Sequence, residues 1–341
     1  MNVPMTQVLS CDEYGIQAAA ALLQAGQVVA IPTETVYGLA ANALNETAVR
    51  KIFSVKGRPQ DNPLIVHICD LDMWGPLVAN LPNRALALAD AFWPGPLTII
   101  LPKSDLVPAT TTAGMDSVAV RMPSHPAAHA IIKAAGLPLA APSANLSGSP
   151  SPTTAQHCLK DLNGKISLIL DGGACDVGIE STVVSLVGDP VLLRPGAITA
   201  EMLSRVLETP VTISEAISRP LKAGERPTSP GMKYRHYAPK ARVILVESDL
   251  GTFIKLLNSA AEAKTYGLVF EGEQPLALKP CITYGRAHDA ASQNRELFAS
   301  LRQLDDCGAK LVYARCPDRD GASLGVYNRM LRAAAFEVMK L

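Results

Sequence analysis

The sequence lacks several features that would assign it to a familiar class of protein. Its seven cysteines form no C-x-x-C pair, so we predict reduced thiols and neither a zinc ribbon nor a redox dithiol. The apolar stretch 18–31 is interrupted by Gln24 and Gly26, which argues against a membrane span. Acidic Asp12 and Glu13 stand where a signal peptide would be basic, and we therefore expect a cytoplasmic protein.

An excess of charge of one sign is also missing. The 341 residues carry 31 Lys+Arg and 31 Asp+Glu, so no overall electrostatic attraction to nucleic acid or membrane is predicted. The phosphate-binding string G-x-x-x-x-G-K-[ST] does not occur. A hydrophobic content of 48% against 18% charged residues predicts an ordered core, and the length favours two domains.

The order of helical and strand patterns predicts two α/β domains. Residues 1–206 mix both patterns and predict an α/β domain with a mixed sheet. Its predicted strands are 28–31, 64–68, 97–101, 118–122, 137–141, 166–170 and 181–186. Residues 207–240 are rich in Pro, Gly and Ser and are predicted to be a linker. Alternating strands and helices in 241–341 predict a small Rossmann-like α/β domain.

Two loops of the first domain indicate a phosphorylated ligand. Lys56 and Arg58 lie two residues apart in a segment stiffened by Pro59 and Pro63, and the loop Ser143–Gly148 is rich in hydroxyls and backbone amides. Arginine offers a planar fork, lysine offers a point charge, and a small-residue loop lets backbone N–H groups approach a phosphate. The two loops therefore predict a phosphate cradle other than a Walker loop.

A simpler alternative is that Lys56 and Arg58 only end a helix. The segment Glu46–Lys56 has roughly helical apolar spacing, and Gly57 is a natural stop. Cations also suit a helix C-terminus. This alternative is a good explanation of Lys56 alone, but a poor one of the two cations together with Asn62 and the serine-rich loop.

Further polar residues gather at the ends of predicted strands, where open α/β sheets bind ligands. The set comprises Thr33–Thr35, His67, Arg121, Ser143, Asn145, Asp171, Glu180–Thr182 and Arg194. Each residue alone would be explained as a cap or a turn. Their joint position beside the basic loop favours a binding site.

The motifs, in their order along the chain, closely resemble those of the L-threonylcarbamoyladenylate synthases, whose catalytic domain is YrdC-like. The matching segments are 32–39 (PTETVYGL), 56–59 (KGRP), 62–64 (NPL), 93–98 (WPGPLT), 121–123 (RMP), 143–148 (SANLSG), 180–183 (ESTV) and 193–196 (LRPG). The linker and the C-terminal domain resemble those of the two-domain variety. The resemblance implies a YrdC-like domain with a concave ligand face.

The resemblance also implies a reaction, in which L-threonine, bicarbonate and ATP give threonylcarbamoyl-adenylate and pyrophosphate for tRNA modification. Magnesium bound through the ATP phosphates would assist, and downstream tRNA threonylcarbamoyl transferase proteins would be partners. The implied catalytic residues are Lys56, Arg58, Ser143 and Asn145. The implied ATP contacts are Arg58, Asn62, Ser117, Ser143, Ser151, Arg194, Tyr234 and His236, and the implied threonine contacts are Thr35, His67, Arg121, Ser181 and the backbone of Ala141.

The segment Ser229–Pro239 is predicted to be a lid over the bound nucleotide. Cations and aromatic residues, including Tyr234 and His236, are unusually frequent in it, and such side chains suit phosphate and adenine. Alternatively, its aromatic residues merely join the two domains.

Two other classes of function remain open at this point. A double-stranded RNA binder would use the same concave face, although the chain has no positive excess. A carbamoyltransferase of hydrogenase maturation also carries a YrdC-like domain, together with cysteine zinc motifs that this chain lacks.

Overall fold

A computed structural model describes residues 5–219 and 237–341. In the first range the strands are β1 (Gln7–Ser10), β2 (Val29–Ile31), β3 (Gly38–Asn42), β4 (Ile65–His67), β5 (Leu97–Pro102), β6 (Ser117–Arg121), β7 (Leu139–Ala140), β8 (Leu168–Asp171), β9 (Thr182–Ser185), β10 (Val191–Arg194) and β11 (Thr212–Ile213). The helices are α1 (Glu13–Gln24), α2 (Glu46–Lys56), α3 (Asn83–Phe92), α4 (Ala109–Thr112), α5 (Pro126–Ala135), α6 (Ala155–Leu162) and α7 (Ala200–Leu207).

These strands form one mixed sheet, as predicted. Within the described residues its order is β1-β8-β2-β3-β7-β4-β6-β5-β9-β10-β11. The central strands β4 and β6 run parallel, whereas β5 and β6 are antiparallel. Strand β11 pairs with β10, so residues 212–213, at the start of the segment predicted as a linker, extend the first sheet.

The second described range contains a separate parallel sheet, which confirms the predicted small α/β domain. Its strands are β12 (Arg242–Glu247), β13 (Thr265–Val269), β14 (Cys281–Thr283), β15 (Leu311–Arg315) and β16 (Val338–Lys340), and its helices are α8 (Leu250–Ser259), α9 (Ala290–Asp306) and α10 (Leu324–Ala333). The sheet order is β14-β13-β15-β12-β16. Each strand runs parallel to the neighbours with which it pairs.

The end of α2 shows how local sequence positions the basic loop. Asn45 caps the start of the helix through its side chain, which accepts a hydrogen bond from the amide of Ala48. Gly57 ends the helix in the left-handed conformation at φ 60°, which glycine adopts at little steric cost. The chain therefore turns sharply after Lys56 and carries Arg58 toward the strand β4.

The two domains meet through buried residues of α9 and α10. Arg302 on α9 and Arg329 on α10 both bind groups of the first domain and are almost fully buried. None of the helices found in residues 5–219 and 237–341 combines the length and the apolar character of a membrane span.

Candidate functional site

A pocket lies on the first domain, where the ends of several strands come together. It is lined by Thr33, Thr35, Val36, Gly38, Arg58, Pro63, Leu64, Ile65, His67, Arg121, Ala141, Pro142, Ser143, Asn145, Ser149, Glu180, Ser181, Arg194 and Tyr237. Nine of the fifteen catalytic or binding residues implied by the family resemblance are therefore on its wall. They are Thr35, Arg58, His67, Arg121, Ala141, Ser143, Asn145, Ser181 and Arg194.

One end of the pocket is built around Arg121. Arg121 and His67 are register partners in the parallel pair β4 and β6, so their side chains lie next to each other. The Arg121 guanidinium donates from Nη1 to Oγ1 of Thr35 (2.8 Å) and from Nε to the carbonyl of Gly95 (3.2 Å). This end therefore presents a fixed guanidinium with a hydroxyl and an imidazole beside it.

Arg121 also forms a buried ion pair with Glu34, which lies behind the pocket wall. Nη2 of Arg121 is 2.6 Å from Oε1 of Glu34. Burial alone would raise the pKa of Glu34, but the adjacent guanidinium lowers it, and the net direction is downward. A guanidinium has five N–H groups, and the contacts with Thr35, Gly95 and Glu34 account for three of them. The contact is therefore a charge pair that leaves donor capacity on Arg121.

His67 is held in its neutral form. Burial lowers the pKa of His67 to about 3, and the positive charge of Arg121 acts in the same direction. Its Nδ1 lies 3.3 Å from the carbonyl oxygen of Ile65. At neutral pH the imidazole can therefore exchange hydrogen bonds with a ligand but contributes no charge.

The buried neutral state of His67 predicts a pH dependence of stability. The unfolded chain takes up a proton at His67 near pH 6.5, whereas the folded protein does so only near pH 3. Unfolding is therefore favoured as the pH falls, and between pH 8 and pH 5 this residue should cost about 2 kcal/mol of stability. Urea unfolding of wild type and His67→Asn at both pH values measures the difference. If wild type and His67→Asn lost the same stability between pH 8 and pH 5, His67 would not be buried in its neutral form.

The serine-rich loop is held from beneath by Lys56, which does not line the pocket. Its Nζ donates to the carbonyls of Ser143 and Asn145, the latter at 2.6 Å, and lies 3.4 Å from Oδ1 of Asn145. An ammonium has three N–H bonds, and these three oxygens occupy them. Burial lowers the pKa of Lys56 well below its usual range, and nearby Arg58 adds to the effect. The ammonium is thus positioned to support the loop, not to face the pocket.

Asn145 likewise shapes the loop. Its amide nitrogen donates to the carbonyls of Leu146 and Ser149, both at 2.8 Å. Oγ of Ser143 donates to Oδ1 of Asn145 at 2.5 Å. These bonds hold the loop folded, with Ser143 and Asn145 on the pocket wall.

Arg58 is the cation of the basic loop that reaches the pocket. It is half-buried, and its Nη2 donates to the carbonyls of Asn62 (3.3 Å) and Pro63 (3.2 Å). Its buried Nε has no hydrogen-bond partner in the described part of the chain. Burial lowers the pKa of Arg58 to about 10, so the group stays charged at neutral pH. A charged, partly desolvated guanidinium on the pocket wall is suited to bind an anion.

Ser181 and Arg194 form another part of the pocket wall. Arg194 donates from Nε to the carbonyl of Ser181 (2.9 Å) and from Nη2 to its Oγ (3.0 Å). The Oγ atoms of Thr98 and Ser181 are 2.7 Å apart. Burial lowers the pKa of Arg194 to about 10. Arg194 therefore adds a second charged guanidinium to this pocket.

Three other predicted residues lie off the pocket wall. Asn62 is buried in the loop after α2, next to Pro63. Ser117 begins β6, four residues before Arg121, and pairs with Pro102. Ser151 is fully buried and donates from Oγ to a carboxylate oxygen of Glu180. Direct ligand contact by these three side chains stays a prediction.

The predicted ATP contacts Tyr234 and His236 lie outside the described residues, as does most of the predicted lid. Tyr237, the next residue, is described and lines the pocket. Its neighbour Ala238 donates from its backbone amide to the carbonyl of Gly148, at the end of the serine-rich loop (3.1 Å). The second described range therefore begins at the pocket wall, with Tyr237.

Two family profiles match consecutive parts of this chain. A family profile described as "Telomere recombination" (Sua5, YciO, YrdC) matches residues 21–196. A second profile, described as "Threonylcarbamoyl-AMP synthase, C-terminal domain", matches residues 198–335.

Full-length relatives show the same two-domain organisation. The threonylcarbamoyl-AMP synthase of Bacillus subtilis is 43% identical over 99% of this chain and 98% of its own length. That of Pyrococcus abyssi is 42% identical over 97% of each chain. A crystal structure of P. abyssi Sua5 complexed with L-threonine matches this chain with a TM-score of 0.92 and 41% sequence identity. The match covers 98% of this chain and 100% of the Sua5 chain.

Proposed function

This chain belongs to the threonylcarbamoyl-AMP synthase family, and we propose that it condenses L-threonine, bicarbonate and ATP to threonylcarbamoyl-AMP and pyrophosphate. In enzyme classes it would be a nucleotidyltransferase. The observation that carries the proposal is a single pocket in which Arg58, Arg121 and Arg194 converge with hydroxyl groups. Three cations suit a reaction whose ligands are a triphosphate and an amino-acid carboxylate.

We assign the two ends of the pocket to the two larger substrates. The end formed by Thr35, His67 and Arg121 would hold threonine, with Arg121 on the carboxylate. The end formed by Arg58 and the serine-rich loop would hold the phosphates of ATP. The hydrogen bond between Arg121 and Thr35, and the position of Arg58, Ser143 and Asn145 on the same pocket wall, support this division.

The chemistry requires charge stabilisation and no covalent nucleophile. The threonine amine and bicarbonate would first form an N–C bond with loss of water, which gives N-carboxy-threonine. A carbamate oxygen of this compound would then attack the α-phosphate, and the bond between the α-phosphorus and the bridging oxygen would break to release pyrophosphate. Negative charge grows on the leaving phosphates, and Arg58 would stabilise it. Because the Lys56 ammonium donates to loop carbonyls, we propose that Lys56 positions the loop, in place of the direct phosphate contact expected from the sequence.

Magnesium would enter with ATP. In the described ranges, no group of three or more His, Cys, Asp or Glu residues could hold a metal ion. The carboxylate on the pocket wall, Glu180, is bonded to Ser151 and Arg329. Glu180 is thus already paired, and magnesium would be held through the ATP phosphates.

An assay of pyrophosphate release tests the proposed function. Release should require ATP, threonine and bicarbonate together, and it should fall to background when either threonine or bicarbonate is omitted. Release from ATP that does not depend on threonine would overturn the proposal.

Substrate selectivity provides a second test. If Arg121 binds the carboxylate, threonine methyl ester should react with a kcat/KM at least about tenfold lower, since a charge-assisted hydrogen bond is lost. Serine lacks one methyl group and should lose about 0.8 kcal/mol, or about fourfold. Steady-state kinetics with the three compounds measures both effects. Equal use of threonine and its ester would show that the carboxylate is not recognised.

The cytoplasmic location, the downstream transferase partners and the domain limits are proposals of the same kind. The limits expected from the sequence are 1–206, 207–240 and 241–341, and the pairing of β11 with β10 extends the first domain into the expected linker. They rest on the sequence patterns and on the family resemblance. Contact of Tyr234 and of His236 with ATP is also a proposal.

A further inference from the structure

An arginine of the second domain reaches the wall of the pocket in the first. Arg329 lies on α10 and is fully buried. Its Nε donates to Oε2 of Glu180 (2.8 Å), and its Nη1 donates to the carbonyl of Pro195 (2.8 Å). Its guanidinium also lies 5.7 Å from the ring centre of Tyr237. Glu180 and Tyr237 both line the pocket, so α10 touches the site through two of its wall residues.

Glu180 is an unexpected residue for an anion site. Its carboxylate is ionised: burial would raise its pKa, but Arg329 first and Arg194 second lower it overall. The other carboxylate oxygen accepts a hydrogen bond from Ser151. A buried carboxylate without its partner would repel a triphosphate across a short, poorly screened distance.

We propose that Arg329 is a positioning residue for the nucleotide site, which it makes acceptable to ATP by neutralising and orienting Glu180. The second domain would then be part of the ATP site, because it supplies the charge that balances the pocket wall. This inference rests on the proposed function, since it concerns ATP binding in that pocket.

The alternative is that Arg329 only joins the two domains. Arg302 on α9 offers a matched comparison, because it is also buried and also binds the first domain. It pairs with Asp161 (2.8 Å) and donates to the carbonyl of Pro150 (2.6 Å). Asp161 is not among the residues that line the pocket. Loss of Arg302 thus removes a buried interdomain ion pair without leaving a free carboxylate on the pocket wall.

The experiment compares Arg329→Gln with Arg302→Gln in the full chain. Arg329→Gln should raise the KM for ATP about tenfold or more, while the KM for threonine stays within about twofold. Arg302→Gln should change the KM for ATP by less than about threefold. Equal increases in both variants, or an unchanged KM for ATP in folded Arg329→Gln, would overturn the proposal.

The double variant Glu180→Gln/Arg329→Gln separates charge from packing. It removes both charges and keeps two amide groups that can bond to each other, so its KM for ATP should return to within about threefold of wild type. If Arg329→Gln alone does not fold, the double variant still tests the proposed role of Arg329. A folded double variant that still binds ATP tenfold more weakly would overturn the proposal.

Calorimetry with a non-hydrolysable ATP analogue measures nucleotide affinity without the reaction. It therefore tests the role of Arg329 separately from the proposed function. If wild type binds the analogue but releases no pyrophosphate with threonine and bicarbonate, the proposed reaction is wrong. The order of analogue affinities, with wild type and double variant tight and Arg329→Gln weak, would still support the role of Arg329. Equal affinities would overturn it.

Discussion

Replacing Arg58 with alanine is expected to lower kcat/KM for ATP ten- to a hundredfold in a protein that stays folded. Arg58 reaches the pocket with a buried Nε that has no hydrogen-bond partner in the described ranges. A charge-assisted hydrogen bond contributes roughly 1.5–3 kcal/mol, and more when charge grows on the acceptor in the transition state. Initial rates of pyrophosphate release at varied ATP measure the loss.

Two further variants show whether the effect depends on the position and the shape of the Arg58 side chain. Arg50→Ala removes another cation of the same region, which lies on α2 in an exposed pair with Glu46. The rate of pyrophosphate release by Arg50→Ala should stay within about twofold of the wild-type rate, because exposed ion pairs contribute little to stability. Arg58→Lys keeps the charge but loses the planar fork and should recover part of the activity. Wild-type turnover in folded Arg58→Ala would refute the phosphate assignment.

The two cations of the basic loop show what the sequence can and cannot predict about this site. Helical spacing predicts a helix over Glu46–Lys56, and the structure has the same bounds. The Lys56 side chain points to carbonyls of the serine-rich loop, which does not support the direct phosphate contact predicted for it. The apolar spacing of α2 could have indicated that this side chain turns inward. Val49, Ile52 and Phe53 are buried residues of α2, and Lys56 follows Ile52 and Phe53 at helical spacing. A cation on the buried stripe of a helix must find oxygen partners inside the protein.

Arg329 is a second buried cation, in the second domain. It lies on α10 with buried Val326 and Met330, and a buried guanidinium indicates a partner. The sequence could not name that partner, because Glu180 is 149 residues away. Eight of the ten residues of α10 are buried, so its periodicity marks no single inward face, and both the burial of Arg329 and its pairing depend on tertiary structure.

The strands β1, β3, β10 and β11 of the first sheet are missing from the sequence prediction, and two of them show how tertiary pairing can form a strand. Strand β3 (Gly38–Asn42) consists mostly of small residues with little strand propensity. It forms because β2 and β7 pair with it on both sides. Strand β11 has only two residues and adds to the edge of β10. Strands that depend on such neighbours leave weak patterns in the sequence.

Replacing Arg121 with methionine is expected to have the largest effect, because it removes one partner of a buried ion pair. Arg121 and Glu34 are 4% and 7% exposed in their side chains. The variant would leave Glu34 buried and unpaired, which typically costs about 3–5 kcal/mol of stability. It would also raise the KM for threonine roughly a hundredfold, through loss of the carboxylate partner. Urea unfolding and threonine kinetics measure the two effects.

The double variant Glu34→Gln/Arg121→Met distinguishes the two roles of Arg121. Neutralising Glu34 removes the unpaired charge, so most of the lost stability should return. Threonine binding should not return, because the cation that faces the carboxylate at that end of the pocket is still missing. If the double variant recovered both properties, Arg121 would serve the fold alone and the threonine site would lie elsewhere. If it recovered neither, the buried charge of Glu34 would not be the source of the instability.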